Sequence, residues 1–530
     1  MRALRARQLN ASYDIAIVGS GFGGSLLAMI AHQLGRSVVL LEKGRHPRFT
    51  IGESSTPLSN ILLENLTTRY NLPALAPLSK WGSWQRANPQ VACGLKRGFT
   101  FYHHTLGASR PADPHHEREL LVAASPHDAI ADTHWFREEV DNFFVQQAQK
   151  IGVTYLDQVA LQSFSESETE ITVTGHRKND AIQIRAKFLV DATGPRGFLH
   201  RAIPLQESPL PDFPVTQALF SHFTGVARIE TQSLGHEGEL PPYPIDDAAV
   251  HHVFEGGWIY VLQFNNGITS AGVCCTEPLA AQLQLSKGAP AWQRLLDLIP
   301  ALNTQFTNAR AVRPFTHMQQ LSFRSSAVAG HRWAQLPSAA GFVDPLLSTG
   351  FPMTLLGVTR LAEIIASDWD PPQFQTRLQT YAQQTDNELL AAARLIATLY
   401  ATMDRFPLFV STTMLYFAAA SFAETARRLG KAHLAPSFLL HDHQDFGSAM
   451  QKSFHHARSS HTENEMAEVA SEIQQAIDPI NIAGLGNPQR KNWYPVDAAG
   501  LLNSANKLES TEEEINQLLK NCGFWKSATA

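Results

Sequence analysis

The sequence predicts an α/β fold in three parts: a parallel nucleotide-binding sheet, a second β-sheet layer and a helical C-terminal region. Three observations predict it. Residues 13–45, YDIAIVGSGFGGSLLAMIAHQLGRSVVLLEKGR, read as strand, glycine turn, helix and strand. Residues 217–226, 251–264 and 268–275 are strand-like runs parted by turns such as Asn265-Asn266-Gly267. From residue 374 to 475 the pattern is mostly helical, rich in Leu, Ala and aromatic residues.

The first unit carries the most specific signal. Residues 14–18 are an Ile- and Val-rich run that reads as a buried parallel strand. Gly19, Gly21 and Gly24 fall in the G-x-G-x-x-G pattern, with a helix over 25–34, a strand over 37–41 and Glu42 closing that strand. Gly19 allows the tight turn, Gly21 lets the backbone approach a pyrophosphate, and Gly24 lets helix and strand pack closely. The helix start then faces the anion. Glu42 is placed to accept from a ribose 2′-hydroxyl, and its charge disfavours a 2′-phosphate. The unit is Rossmann-like and implies a dinucleotide.

The remaining segments follow in order. Gly52-Glu53-Ser54 followed by Pro57 reads as a loop over 49–60 with many local backbone hydrogen bonds, and 61–66 as helix. Residues 73–89, with Trp81 and Trp84 among prolines, read as a lid or a packed loop. Residues 93–102 read as a strand from Gly98 onward, with Lys96 and Arg97 just before it. The pairs His103-His104, His115-His116, His251-His252 and His455-His456 lack metal-ligand spacing and read as solvated loop residues. Residues 133–150 form an amphipathic helix on Phe136, Val140, Phe144 and Ala148. Strands follow at 152–155, 160–164, 171–175 and 182–186, and 188–190 leads into Asp191-Ala192-Thr193-Gly194. Residues 342–350 return to loop chemistry before a helix over 351–366, with Pro352 in its first turn. A capping-box-like run at 510–514 starts a last helix.

Whole-chain properties bound the function. At 530 residues the chain exceeds one simple core. Four regions are expected: 1–205 around the nucleotide, 206–335 as a substrate-side sheet, 336–373 returning to the nucleotide, and 374–530 helical. A net charge of −5 with 17% charged residues gives no reason to expect nucleic acid or an anionic membrane as partner. Cys93, Cys274, Cys275 and Cys522 form neither a metal pattern nor a disulfide framework, which points to the cytoplasm. Residues 1–12 carry three arginines without an apolar core, so no secretory signal is read there. The apolar run 406–423 reads as a buried helix, or one lining an apolar cavity, ahead of a membrane span.

The glycine fingerprint, Gly52-Glu53-Ser54-Ser55-Thr56-Pro57, Trp135-Phe136-Arg137 with its helix, Asp191-Ala192-Thr193-Gly194 and residues 341–350 occur in one order. In that order they resemble the flavin-dependent halogenases, relatives of the single-component flavin monooxygenases, over roughly the first 370 residues. The resemblance implies FAD held through Gly19, Gly21, Gly24, Glu42 and Ser54, with Arg137 and Asp344 as further contacts. It implies that a separate flavin reductase supplies reduced FAD, and that oxygen and chloride or bromide then yield hypohalous acid. The halide would sit at Thr349 and Gly350, where backbone N–H groups at a helix start can hold a small anion. Lys96, in GLKRGFTF, matches the lysine that guides the acid to the substrate, with Lys80 as competitor.

Three departures narrow the reading. Where the family has W-x-W-x-I-P, this chain has Trp258-Ile259-Tyr260-Val261-Leu262-Gln263, which favours halogenation less strongly over oxygenation. Leu347 stands where tryptophan halogenases carry a glutamate, so an already activated ring such as a phenol or pyrrole fits better than free tryptophan. Pro337-Ser338 replaces the usual Gly-Asp of the wider class, leaving the ribityl contact absent or served by Ser338. The expected activity is halogenation of an electron-rich aromatic or pyrrolic substrate, free or carrier-tethered. The alternatives are an FAD-dependent monooxygenase or dehydrogenase on the same scaffold, or a flavin-binding protein without turnover.

Overall fold

Ser12–Val18 is the central strand of the first sheet in the computed structural model, which describes residues 11–111, 113–229, 240–367, 369 and 371–525. It pairs in parallel with Val38–Leu41 on one side and Asp180–Asp191 on the other. Thr154–Leu156 extends the sheet beyond Val38–Leu41, and Trp333–Gln335 pairs in parallel with the end of Asp180–Asp191. Chain order therefore reverses between Ser12–Val18 and Asp180–Asp191. A dinucleotide binds at such a switch point, outside the carboxyl ends of the strands. Asp180–Asp191 is long enough to play two parts. Its first half pairs antiparallel with Ile171–Arg177, which in turn pairs with Val159–Glu166. The two short runs expected at 182–186 and 188–190 are thus one strand.

The second sheet has nine strands among the described residues. Thr216–Thr224, Thr269–Thr276, Gly257–Gln263 and Ala249–Phe254 run antiparallel to one another, and Gly98–His103 joins Ala249–Phe254 in parallel. The apolar run 251–264 is a hairpin of two strands, turned at Glu255 and Gly256. Gly98–His103 and Glu119–Ala123 belong to this sheet although they lie within the region drawn around the nucleotide. Chain order and layer do not coincide here.

Local differences have local causes. Pro57 begins a helix, Pro57–Arg69, capped by the Thr56 side chain, so the loop ends four residues earlier than expected. Residues 76–79 and 81–87 are short helices, and Trp84 is fully buried with its indole N–H on the Val91 carbonyl at 2.9 Å. That segment is packed, not a lid. The helix expected from residue 133 starts at Arg137, because Asp132–Trp135 pairs as a strand with Cys93–Lys96. Several histidines read as solvated are buried: His104, His116, His251 and His252. Among the described residues no cluster of His, Cys, Asp or Glu could hold a metal.

The long C-terminal helices pack around this frame. Pro371–Thr402 and Phe406–Arg428 pack against one another and against Gly350–Ala366 and Pro57–Arg69. Phe406–Arg428 is long and apolar enough to cross a membrane by length and composition, but 78% of its apolar window is buried inside the protein. The Thr511–Glu514 capping box forms as expected.

Candidate functional site

A cavity of about 1000 Å³ opens at the switch point and runs between the two sheets. Its wall includes the glycine turn, with Gly19, Gly21, Gly24 and Glu42, then Ser54 and Arg137, and Asp344, Thr349 and Gly350. The structure brings all nine of these sequence-picked residues to one cavity. Lys96 lies just behind the wall.

The glycines have different neighbours. A Cβ on Gly24 would meet the Gly19 carbonyl oxygen at 2.0 Å, so this position serves the close packing of helix on strand. Gly19 has φ +100°, which an L side chain rarely adopts. The Gly21 position is open, with Arg137 Nη2 the nearest atom at 3.5 Å. The N-cap Gly21 has no side chain to close the helix Phe22–Gln33 that starts here, and although Asp141 takes the Phe22 N–H, Gly21, Gly23 and Gly24 line the cavity.

Glu42 accepts from Ser20 N at 3.1 Å, Ser20 Oγ at 2.9 Å and Gly44 N at 2.8 Å, and pairs with Arg48 at 3.3 Å. Burial pushes its carboxyl up, but Arg48 and these donors outweigh that and hold it below the usual range. A carboxylate has about four acceptor sites, so a ribose hydroxyl must displace one donor. Ser20 Oγ can yield, because it also meets His46 Nε2 at 2.8 Å. The dinucleotide half of FAD therefore fits the residues present: an open Gly21 position, a helix start whose glycines line the cavity and an acid at the second strand's end.

Arg137 fixes the loop that follows. It forks onto Asp141 at 2.9 Å through two nitrogens and donates to the Ile51 and Gly52 carbonyls at 3.1 and 3.0 Å. Asp141 also accepts from Phe22 N, so one ion pair ties the 51–54 loop to the glycine helix. The next residue, Glu53, lines the cavity and accepts from His222 at 3.1 Å.

In the turn after Asp344, Leu347 and Ser348 have φ of 63° and 56°. Two non-glycine residues in the left-handed region cost of order 1–2 kcal/mol each. The surroundings hold them there: Tyr416 donates to the Leu347 carbonyl at 2.8 Å, and Asp344 accepts from Leu346 N at 2.9 Å. The turn brings Ser348, Thr349 and Gly350 to the cavity wall at the start of Gly350–Ala366, where no side chain caps the helix. A Cβ on Gly350 would meet nothing within 4 Å.

Asp344 also accepts from Tyr400 at 2.9 Å, and the Trp258 indole donates to that same hydroxyl at 3.2 Å. Sequence reasoning missed Tyr400, which sits in an ordinary helical stretch; only the fold carries it to Asp344 and Trp258, two residues of the cavity wall. The tie gives Trp258 a fixed place in the wall, beside Tyr260 and Leu262 on the same strand face.

Burial raises the Asp344 carboxyl to about 7. The folded chain then binds more protons than the unfolded chain between about pH 4 and 7, so this group lowers stability as pH rises across that window. Asp344→Asn should remove that dependence. Denaturant titration of both proteins over the window checks this, and parallel curves would contradict it.

Lys96 precedes the strand Gly98–His103, as expected, and also ends a shorter one, Cys93–Lys96; it is fully buried. Its Nζ donates to Ser54 Oγ at 2.9 Å and to the Ser55 carbonyl at 2.6 Å, and lies 3.9 Å from the centre of the Phe99 ring. One hydrogen bond thus separates it from the cavity wall. Burial brings its pKa down to about 7, against the opposing pull of Asp132. Lys80 instead pairs with Glu64 at 3.4 Å and is not part of that wall. Ser338 does line the cavity, at the position of the missing acid.

Comparisons with known proteins bear on the family and the fold. The family model for tryptophan halogenase matches residues 133–407. The tetracycline 7-halogenase of Kitasatospora aureofaciens is 28% identical over 417 residues, covering 77% of this chain and 73% of that protein. A 1H-pyrrole-2-carbonyl-[peptidyl-carrier protein] brominase of Pseudoalteromonas luteoviolacea is 24% identical, covering 73% of this chain and 85% of that protein. Among solved structures, the halogenase PltM in complex with phloroglucinol and FAD superposes with a TM-score of 0.80 at 23% identity, covering 90% of this chain and 99% of that one.

Proposed function

Because this chain belongs to the tryptophan halogenase family and is an FAD-dependent halogenase, we propose that it places chlorine or bromine on an electron-rich aromatic or pyrrolic ring under the guidance of Lys96. One observation carries the reading: a single cavity joins the dinucleotide turn to the Thr349–Gly350 helix start, with a fully buried lysine one serine behind it.

When bound, reduced FAD supplies the two electrons with which oxygen converts halide and a proton to hypohalous acid and water. The chain's own groups do the rest. Backbone N–H groups at the start of Gly350–Ala366 hold the halide, helped by the helix dipole. Trp258, Tyr260 and Leu262 keep the space between the sheets apolar, so the acid is not lost to water. Lys96 either donates a hydrogen bond to the acid or, as free amine, takes the halogen with loss of water. The halogen then replaces a ring proton. Leu347 supplies no carboxylate, so the ring must bring its own electron density; a phenol or pyrrole does so and free tryptophan fits less well.

A separate flavin reductase is taken as the source of reduced FAD, and the cytoplasm as the compartment, in keeping with four free cysteines. Carrier-tethered substrates are included, since a relative of this chain acts on a pyrrole held by a carrier protein. The test is mass spectrometry of free and carrier-bound phenols and pyrroles incubated with the enzyme, reduced FAD, oxygen and bromide. The bromine isotope doublet is the expected result. A product heavier by one oxygen, or lighter by two hydrogens, would make the chain an oxygenase or dehydrogenase on this scaffold.

A further inference from the structure

Lys96 and Asp132 are partners in the register of the two-stranded ribbon of Cys93–Lys96 and Asp132–Trp135, so their side chains leave the same face, although no ion pair closes between them. Both are buried. Asp132 Oδ1 accepts from Asn60 Nδ2 at 2.6 Å, while Oδ2 is buried and has no hydrogen-bond partner. Lys96 spends two of its three protons on Ser54 and Ser55. A buried carboxylate oxygen without a donor is costly unless it faces a positive charge or carries a proton itself.

We propose that Asp132 is the proton partner of Lys96, a positioning residue that takes the ammonium proton when the amine is needed free. This rests on Lys96 acting on the halogen, as proposed above. The balance is simple: the Lys96 ammonium and Asp132 carboxylate become amine and carboxylic acid. The amine then meets hypohalous acid, forming an N–halogen bond and releasing water. Transfer of the halogen to the ring returns the amine. The remaining charged and titratable neighbours leave this pair intact. His134 and His251 press on Lys96, but burial keeps both imidazoles neutral, with pKa values pushed down to about 3. Glu424, Arg428 and Tyr416 reach Asp132 from the helix Phe406–Arg428, where Arg428 is already paired with Glu424 and Glu64. Burial pushes the Asp132 carboxyl up and the Lys96 ammonium down, which brings their proton affinities towards one another.

The test follows the protonation of Lys96 itself. The enzyme is loaded with oxidised FAD and labelled with carbon-13 at the lysine ε-carbons, and NMR titrates Lys96, assigned by its loss in Lys96→Met. In Asp132→Asn the proton affinity of Lys96 should fall roughly tenfold or more, since the carboxylate that favours the ammonium is gone. Asn60→Ala, which removes the donor on Oδ1 and raises the proton affinity of Asp132, should move it the same way by less. An unmoved or rising midpoint in the folded variants would overturn the proposal. Halogenation assays on Lys96→Met answer a separate question, so an inert lysine and an uncoupled aspartate are distinguishable results.

Discussion

Replacing Lys96 with methionine should lower halogenated product by roughly 10²–10⁴-fold, the range for a lost positioned proton donor or acceptor, while leaving FAD bound. Methionine keeps most of the buried volume and removes only the charge and its donors. The Ser54 hydroxyl and Ser55 carbonyl lose one partner each. Asp132, without its cation, can keep its proton and so avoid a bare buried charge. The fold should therefore survive, which a melting curve checks. Lys96 does not line the cavity where the flavin fits, so FAD fluorescence and retention should match the unmodified protein. Oxygen consumption by reduced FAD should continue, with hypohalous acid escaping and detectable by a chemical trap. Unchanged product would remove Lys96 from the mechanism and return attention to Lys80. Lost FAD would mean that the lysine props the 51–55 loop and no more.

That expectation leans on burial, which the sequence did not disclose. GLKRGFTF shows a lysine beside an arginine, a pattern as common on surfaces as in sites. What dries Lys96 is Ser54 and Ser55 from one loop, Asp132 across a ribbon, and Phe99 beyond a one-residue break between strands. Only Phe99 falls within that local pattern; the serines and Asp132 are more than thirty residues away in sequence. The histidines teach the same lesson: adjacent His251 and His252 looked solvated, yet they are two faces of one buried strand. The nucleotide half was legible because its requirements are local. Each glycine answers to its own turn, and Glu42 to the end of its own strand. Tyr400 marks the limit. It reaches Asp344 and Trp258 from a 32-residue helix whose sequence announces packing and nothing else.

Gly21→Val should leave the chain folded and abolish FAD retention, and the glycine geometry explains why this position separates the two. At Gly24 a side chain would drive into the Gly19 carbonyl at 2.0 Å and the Ala192 side chain at 2.9 Å; at Gly19 it would meet the Ala192 carbonyl at 2.5 Å. Both substitutions break the contact of helix with sheet, so loss of FAD there would say nothing about the cofactor. At Gly21 the nearest atoms are Arg137 Nη2 at 3.5 Å and Asp141 Oδ2 at 3.8 Å, ordinary contact distances, and the backbone is extended with φ −65°. Valine is thus tolerated by the protein alone but fills the space through which a pyrophosphate approaches the helix start. Affinity for FAD should fall at least roughly a hundredfold, about 2.7 kcal/mol, read by fluorescence titration and by the flavin-to-protein absorbance ratio after desalting. The melting temperature without flavin should stay near that of the unmodified chain, while the stabilisation that added FAD confers should vanish. A folded Gly21→Val protein that still carries stoichiometric FAD would place the dinucleotide elsewhere, and with it the site built around this turn.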